Sequence, residues 1–191
     1  MLSEEKIPAL SSQLNRTLQA RMISFIKNNR AFNLRAAALI RRGDETLFHT
    51  VKGNDFWVLP GGRVHLGEST AEALIREIRE EMGAAITIVR PLWAVENFFI
   101  HQGTKHHHFG ITYLAELTGP EAQPYDRLDG ILERREGNET LLFRWMSPEE
   151  VAREECYPSF LKEKLCHLPD SFEHLIHYDE VPPEIQARGL E

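Results

Sequence analysis

The glutamates Glu77, Glu80 and Glu81 are the residues whose type and spacing most clearly could do chemistry. On a helix that advances about 100° per residue, they share one narrow arc of the surface. Carboxylates that close repel one another, and the i,i+4 pair alone costs roughly 0.2–0.5 kcal/mol in an isolated helix. A divalent cation removes this repulsion, and magnesium is commonly shared between carboxylates and substrate phosphates. For the three glutamates taken alone, a solvated helix face in which Arg76 pairs with Glu72 and Glu80 is the more common arrangement.

The residues around these glutamates form a longer motif with the spacing G-x5-E-x7-R-E-U-x-E-E-x-G, where U is a bulky apolar residue. Its members are Gly62, Glu68, Arg76, Glu77, Ile78, Glu80, Glu81 and Gly83. The motif resembles the Nudix box of the Nudix hydrolase superfamily and is complete through Gly83. Ala84 stands where that family usually has a larger aliphatic residue. The complete box favours a metal–diphosphate site over a solvated helix face.

The resemblance implies a role for each polar residue of the box. It implies metal ligation by the backbone carbonyl of Gly62 and by the carboxylates of Glu77, Glu80 and Glu81, with Glu80 acting directly or through water. Arg76 is expected to orient Glu77, since a planar guanidinium can hold a carboxylate through two hydrogen bonds. Glu68 is expected to support the ligands without touching the metal. The implied cofactor is Mg²⁺ or Mn²⁺.

The implied reaction is attack of water on a phosphorus atom of a diphosphate bridge, with a metal ion that lowers the pKa of bound water. The group that accepts the proton is left open. Glu77 is one candidate, and a glutamate on a loop ahead of the strand that ends near Trp145 is another. On that loop Glu139 is the first choice and Glu136 the second, and solvated loop charge is the alternative for Glu139.

A histidine run, His106 to His108, is the most conspicuous pattern outside the box. Alternate residues of a strand point to opposite faces, so His106 and His108 share a face and His107 does not. Three histidine ligands therefore cannot converge from this run alone. His106 and His108 are candidates for contact with the substrate, as are Arg63 and Phe98, and ordinary surface or core is the alternative for each.

The elements that must position these residues are predicted from hydrophobic periodicity and turn residues. Strands are expected over residues 34–41, 45–52, 56–59, 86–90, 93–100, 106–117 and 140–146. Helices are expected over 12–28, between Ser69 and Gly83, from Ser147, and over 157–167. Turns are expected at 42–44, 60–62 and 102–104, and a long loop at 118–138. This order indicates a mixed α+β or layered α/β/α domain, and the resemblance implies the Nudix fold, a mixed β-sheet sandwiched between helices.

The helix predicted over 12–28 carries Leu14, Leu18, Met22, Phe25 and Ile26 along one face. Residues 1–30 are therefore expected to be a helical extension ahead of a Nudix domain that spans 31–191 with its C-terminal helices. An apolar face of that size would be an exposed patch on a free helix. We expect it to pack on its own domain or on a second subunit, and we favour a homodimer.

Composition narrows the classes of partner. The 191 residues include 22 Lys and Arg against 29 Asp and Glu, a formal charge of −7 that disfavours duplex nucleic acid as the main partner. No apolar run approaches the ~20 residues of a membrane span, and Glu4 and Glu5 stand where a signal peptide would be basic and then apolar. Only 2 Cys are present, which is typical of a reducing compartment. We expect a cytoplasmic protein.

The expected substrate is a nucleoside diphosphate linked to another moiety, and nucleoside triphosphates, nucleotide sugars and dinucleotides all satisfy that description. A binding module that senses a nucleotide without hydrolysing it is the competing hypothesis. It is disfavoured because a sensor has no chemical need for the full acidic set. An isomerase on the same scaffold would require other acid–base residues, and none is evident.

Overall fold

The computed structural model describes residues 22–179. Its strands are β1 (Ser24–Lys27), β2 (Arg30–Arg42), β3 (Glu45–Val51), β4 (Trp57–Val58), β5 (Gly61–Arg63), β6 (Ala85–His101), β7 (Thr104–Thr118), β8 (Ile131–Glu136), β9 (Glu139–Met146), β10 (Cys156–Tyr157) and β11 (Glu173–Tyr178). Its helices are α1 (Thr70–Met82), α2 (Gln123–Asp126), α3 (Pro148–Arg153) and α4 (Leu161–Lys164). None of the helices between residues 22 and 179 has the length and apolar composition that a membrane crossing needs.

The strands join in one mixed sheet whose main path runs β10-β4-β3-β2-β7-β6-β11. Strands β1 and β5 pair with β2, and the β8–β9 hairpin joins through β3. Because alternate side chains of a strand face opposite sides, β2 contributes to two cores. Ala36, Ala38 and Ile40 lie in the core that α1 covers, and Leu39 lies in the core that α3 and α4 cover. The predicted α+β sandwich, with a mixed sheet between helices, is confirmed.

Helix α1 begins and ends as predicted. Ser69 caps its first turn: the Ser69 hydroxyl accepts a hydrogen bond from the Glu72 N–H at 3.2 Å, and the Glu72 carboxylate accepts one from the Ser69 N–H at 2.8 Å. Gly83 ends the helix in the left-handed conformation, with φ 61°. The buried side chains of Leu74 and Ile78 pack α1 against the sheet. This fixes the direction in which its glutamates point.

The helix predicted over 12–28 is wrong where the structure describes it. Residues 24–27 form β1, which pairs antiparallel with β2 from Ser24 opposite Asn33 to Lys27 opposite Arg30. Asn28 and Asn29 both have positive φ, 50° and 58°, and so make the tight two-residue turn that joins the two strands. Residues 12–21 of that prediction lie outside the described residues.

Further differences arise from pairing between distant segments. The turn expected at 60–62 is partly strand, because Gly61 and Gly62 pair with Ala37 and Ala36 of β2. The loop expected at 118–138 contains α2 and β8, and the strands expected at 86–90 and 93–100 are one bulged strand, β6. The helix expected at 157–167 is limited to α4. Strand β11, which runs parallel to β6, carries no sequence signal that we recognised.

Candidate active site

Strand β5 brings a glycine backbone against the glutamates of α1. A Cβ atom placed on Gly62 would lie 2.5 Å from Oε1 of Glu77 and closer still to its carboxyl carbon. No side chain fits between them, so the Glu77 carboxylate rests directly on the Gly62 backbone. The neighbouring Gly61 donates its N–H to Oε2 of Glu81 at 3.2 Å. The two glycines therefore hold the two carboxylates that the resemblance assigns to a metal.

Arg76 connects the carboxylates of the box. Its Nε and Nη2 donate to the two oxygens of Glu68 at 2.7 and 3.0 Å, and its Nη1 donates to Glu77 at 2.8 Å and to Glu80 at 3.0 Å. Hydrogen bonds from Arg76 lower the pKa of Glu68 to about 2, against the opposing effect of partial burial. Arg76 also donates to the backbone carbonyl of Arg63 at 3.0 Å, which ties α1 to β5.

Glu81 is the most enclosed of the box carboxylates, with 7% of its surface exposed. Burial, followed by the negative charges of Glu77 and Glu136, raises the pKa of Glu81 to about 8. An isolated carboxylate in this position is costly to ionise. A positive charge placed among these oxygens would remove that cost.

The β8–β9 hairpin brings two more glutamates towards α1, with Glu136 paired opposite Glu139. Glu136 is half-buried, and burial, then the charges of Glu77, Glu80 and Glu139, raise its pKa. Glu139 is exposed. The structure thus brings Glu136 into electrostatic contact with the helix carboxylates, whereas Glu139, on the same face of the hairpin, is more exposed to solvent.

The donor set that the resemblance implies would suit a hard divalent cation, since it consists of carboxylate oxygens and a backbone carbonyl. A divalent cation would also neutralise the negative charges of Glu77 and Glu136, which act on the buried Glu81. Over residues 22–179, no three His, Cys, Asp or Glu side chains already stand close enough to enclose one. An ion would therefore have to draw Glu77 and Glu81 towards it, and Mg²⁺ commonly completes its shell with water and substrate phosphate.

A cationic group borders the acidic one. Arg35 of β2 lies directly opposite Arg63 of β5, and like charges in that relation repel. Burial lowers the pKa of Arg35, and Arg63 lowers it further, while Glu81 and Glu77 raise it. Nη2 of Arg35 reaches the Gly61 carbonyl at 3.5 Å. Arg35 therefore lies between a second arginine and the carboxylates of the box.

The predicted substrate residues do not all lie on one face of the sheet. The rings of His106 and His108 both contact Phe99, each with centroids 4.8 Å apart. Burial, then the charge of Arg35, lowers the pKa of His108 to about 3. Phe98 points to the other face, where it stacks on His107 at 4.4 Å. His106 and His108 therefore share a surface with Arg35, and Phe98 lies apart from it.

Three residues near this site were missed by sequence reasoning: Arg35, Phe99 and His49. Arg35 and Phe99 stand in strands whose buried face is set by the register between β2, β7 and β6, which the sequence does not display. His49 is 6% exposed, and its Nδ1 lies 3.9 Å from Oε2 of Glu81. The available signal was that His49, a polar residue, directly follows the apolar residues Leu47 and Phe48 of a predicted strand.

Comparison with known proteins finds relatives in sequence and in fold. A Bacillus subtilis protein provisionally named as an 8-oxo-dGTP diphosphatase is 32% identical over 112 residues, which cover 58% of this chain and 62% of that protein. The crystal structure of an ADP-ribose pyrophosphatase from Streptococcus suis superposes with a TM-score of 0.51 at 16% identity, covering 76% of this chain and 98% of that one. The crystal structure of a UDP-X diphosphatase superposes with a TM-score of 0.52 at 20% identity, covering 85% and 74%.

These structural similarities establish the fold. The resemblance of the box to the Nudix box is supported separately, by the match of the sequence to a family model. The chain spans between 34% and 62% of the length of the curated relatives that it matches. Residues 31–166 match the NUDIX domain, and this match includes the whole box and the strands that position it. Since that match covers more than half of the chain, the protein belongs to the NUDIX domain family.

Proposed function

We propose that this protein is a divalent-metal-dependent pyrophosphohydrolase. Its reaction is the attack of water on phosphorus in the diphosphate bridge of a nucleoside diphosphate linked to another moiety. The observation that carries the proposal is the buried carboxylate of Glu81, crowded by Glu77 and Glu136 and bordered by the cationic Arg35. The names of the similar proteins support the same class, since each refers to hydrolysis of a diphosphate-containing compound.

Gly62, Glu77 and Glu81 would hold the metal, and Glu80 would act directly or through water. Bound there, Mg²⁺ or Mn²⁺ would supply charge neutralisation and a more acidic water. Arg76 keeps the Glu77 carboxylate in place through the 2.8 Å hydrogen bond from its Nη1. Glu68 supports this contact because it takes the Nε and Nη2 donors of the same guanidinium group.

The proton acceptor lies among Glu77, Glu136 and Glu139. Glu77 already accepts a hydrogen bond from Arg76 and is proposed to bind the metal, so its oxygens are less available to take a proton from water. On the β8–β9 hairpin, Glu136 is the stronger candidate, because it is half-buried and lies close enough to Glu77 and Glu80 for their charges to act on it. Glu139 would accept the proton only if the hairpin closes over bound substrate.

Arg35 and Arg63 are proposed to bind the substrate phosphates. Guanidinium groups suit phosphate because their N–H donors match two oxygens at once. The repulsion between the two arginines is relieved when an anion lies between them. His108 is held at 3.0 Å by Asn33 and, with Phe99 and His106, is proposed to contact the group beyond the diphosphate.

The test is a phosphate-release screen with Mg²⁺, Mn²⁺ and chelator. The panel should include nucleoside triphosphates, nucleotide sugars, dinucleotides and dinucleoside polyphosphates. The proposal expects metal-dependent turnover of at least one class, and a loss of at least about 100-fold in Glu81→Gln. Glu163→Gln removes the same charge from an exposed position on α4 and is the matched control. Turnover that persists in chelator, or in Glu81→Gln, would contradict the proposal.

A cytoplasmic location and a homodimer are also proposed on the sequence evidence. The dimer is tested by light scattering on the full chain and on a chain that lacks residues 1–21, which leaves β1 in place. An unchanged number of subunits, either monomer in both cases or dimer in both cases, would exclude a role of that segment in association. The partner proposed for the site is a small nucleotide-like molecule, with no role for duplex nucleic acid.

A further inference from the structure

His49 is a buried imidazole that no contact within the described residues explains. It lies in β3, opposite Phe143 of β9 and Val58 of β4. Only 6% of its surface is exposed, and neither ring nitrogen has a hydrogen-bond partner among residues 22–179. Buried polar side-chain groups are nearly always hydrogen-bonded, so an unpartnered pair of nitrogens calls for a physical reason.

The surroundings of His49 point its polar edge at the acidic site. One side of the ring stacks on Phe143, with centroids 5.6 Å apart and planes 25° from parallel. Its Nδ1 lies 3.9 Å from Oε2 of Glu81. That distance is beyond a hydrogen bond, but a movement of less than about 1 Å would bring it to the ordinary range. Glu81 is also the carboxylate that a bound metal would draw from its present place.

The buried position of His49 favours a neutral ring, because burial disfavours the charged form of an imidazole. A neutral imidazole carries one N–H donor and one acceptor nitrogen. It can therefore hold a carboxylate by a hydrogen bond without neutralising the negative charge that a metal ion requires.

We propose that His49 is a positioning residue for the metal site: its Nδ1–H donates to Oε2 of Glu81 and holds that carboxylate in the direction a divalent cation needs. This inference rests on the proposed function. Groups that hydrogen-bond to metal ligands typically change metal affinity by 10–100-fold when removed. Gly61 already donates to the same oxygen at 3.2 Å, so His49 would complete a pair of donors that fixes the orientation of Glu81.

The experiment is a Mn²⁺ titration of the substrate-free full-length protein, followed by electron paramagnetic resonance of free Mn²⁺. His49→Phe keeps a ring for stacking on Phe143 and removes both nitrogens, and we expect its Kd for Mn²⁺ to rise at least about 10-fold. His49→Asn places an amide donor near the position of Nδ1, and we expect it to recover most of that loss. Thr50→Val changes the adjacent buried polar residue, whose side chain faces the other way, and should leave the Kd unchanged.

The outcomes separate this inference from the proposed function. If wild type binds Mn²⁺ and His49→Phe binds equally well, the role of His49 is refuted and the metal site stands. If His49→Phe and His49→Asn are equally weak, the hydrogen bond is refuted, because a donor at that position has no effect. If wild type binds no Mn²⁺, both proposals fail. Thermal melting shows whether each variant is folded. If His49→Phe is unfolded, the Kd of His49→Asn for Mn²⁺ decides the result.

Discussion

Replacing Gly62 with Ala tests the close contact between β5 and α1. The new Cβ would lie 2.5 Å from Oε1 of Glu77, and ordinary contact requires the carboxylate to move by roughly 1 Å. Glu77 is the end of a flexible side chain, and Gly62 is not among the glycines with positive φ. The fold should therefore tolerate the change, while the carboxylate cannot keep its place.

The expected effect is a loss of catalysis with little loss of stability. A misplacement of about 1 Å near a reacting centre can cost about 100-fold in rate, which corresponds to about 2.7 kcal/mol of transition-state stabilisation. The assay is metal-dependent phosphate release at saturating substrate, with thermal melting measured beside it. Wild-type turnover in Gly62→Ala would refute the idea that the Glu77 carboxylate must rest on this backbone.

Two further predictions concern the surrounding glutamates. Glu136→Gln should lower the maximal rate about 100-fold or more, whereas Glu139→Gln should retain most of it, and the reverse result would return the base role to Glu139. The pKa of Glu68 falls from 4.5 to about 2 on folding, so its carboxylate stabilises the fold above about pH 4.5 and loses that effect as the pH falls towards 2. The difference in melting temperature between wild type and Glu68→Gln should therefore shrink between about pH 6 and pH 2.5, and a constant difference would contradict the ion pair.

The parts of the site that could be predicted are those that depend on local geometry. Residues Ser69 to Gly83 contain both helix caps and the apolar face, so the positions of Glu77, Glu80 and Glu81 on one side follow from the period of the helix. The glycines before the helix are close enough in sequence to belong to the same motif. A regular spacing of this kind holds in almost any tertiary setting.

The parts that could not be predicted depend on contacts between distant segments. Glu136 lies near α1 because β8 pairs with β9, yet β8 reads as a polar loop in the sequence. Arg35 and His108 share a face only through the register of β2 with β7. Phe25 and Ile26 fit a helical spacing, but they lie in a strand because the turn at Asn28 and Asn29 folds this segment back to pair with β2. Pairing with β2 overrides the local pattern there.

In the proposed reaction, water attacks phosphorus beside the carboxylates of α1 with the help of a divalent cation. The most direct measurement is ³¹P NMR of the products formed in H₂¹⁸O from a substrate found in the screen. We predict that one ¹⁸O atom enters a phosphate product, that Mg²⁺ or Mn²⁺ is required, and that Glu81→Gln abolishes the signal. Label found on the organic moiety, or equal labelling of phosphate by Glu81→Gln in chelator, would contradict the account.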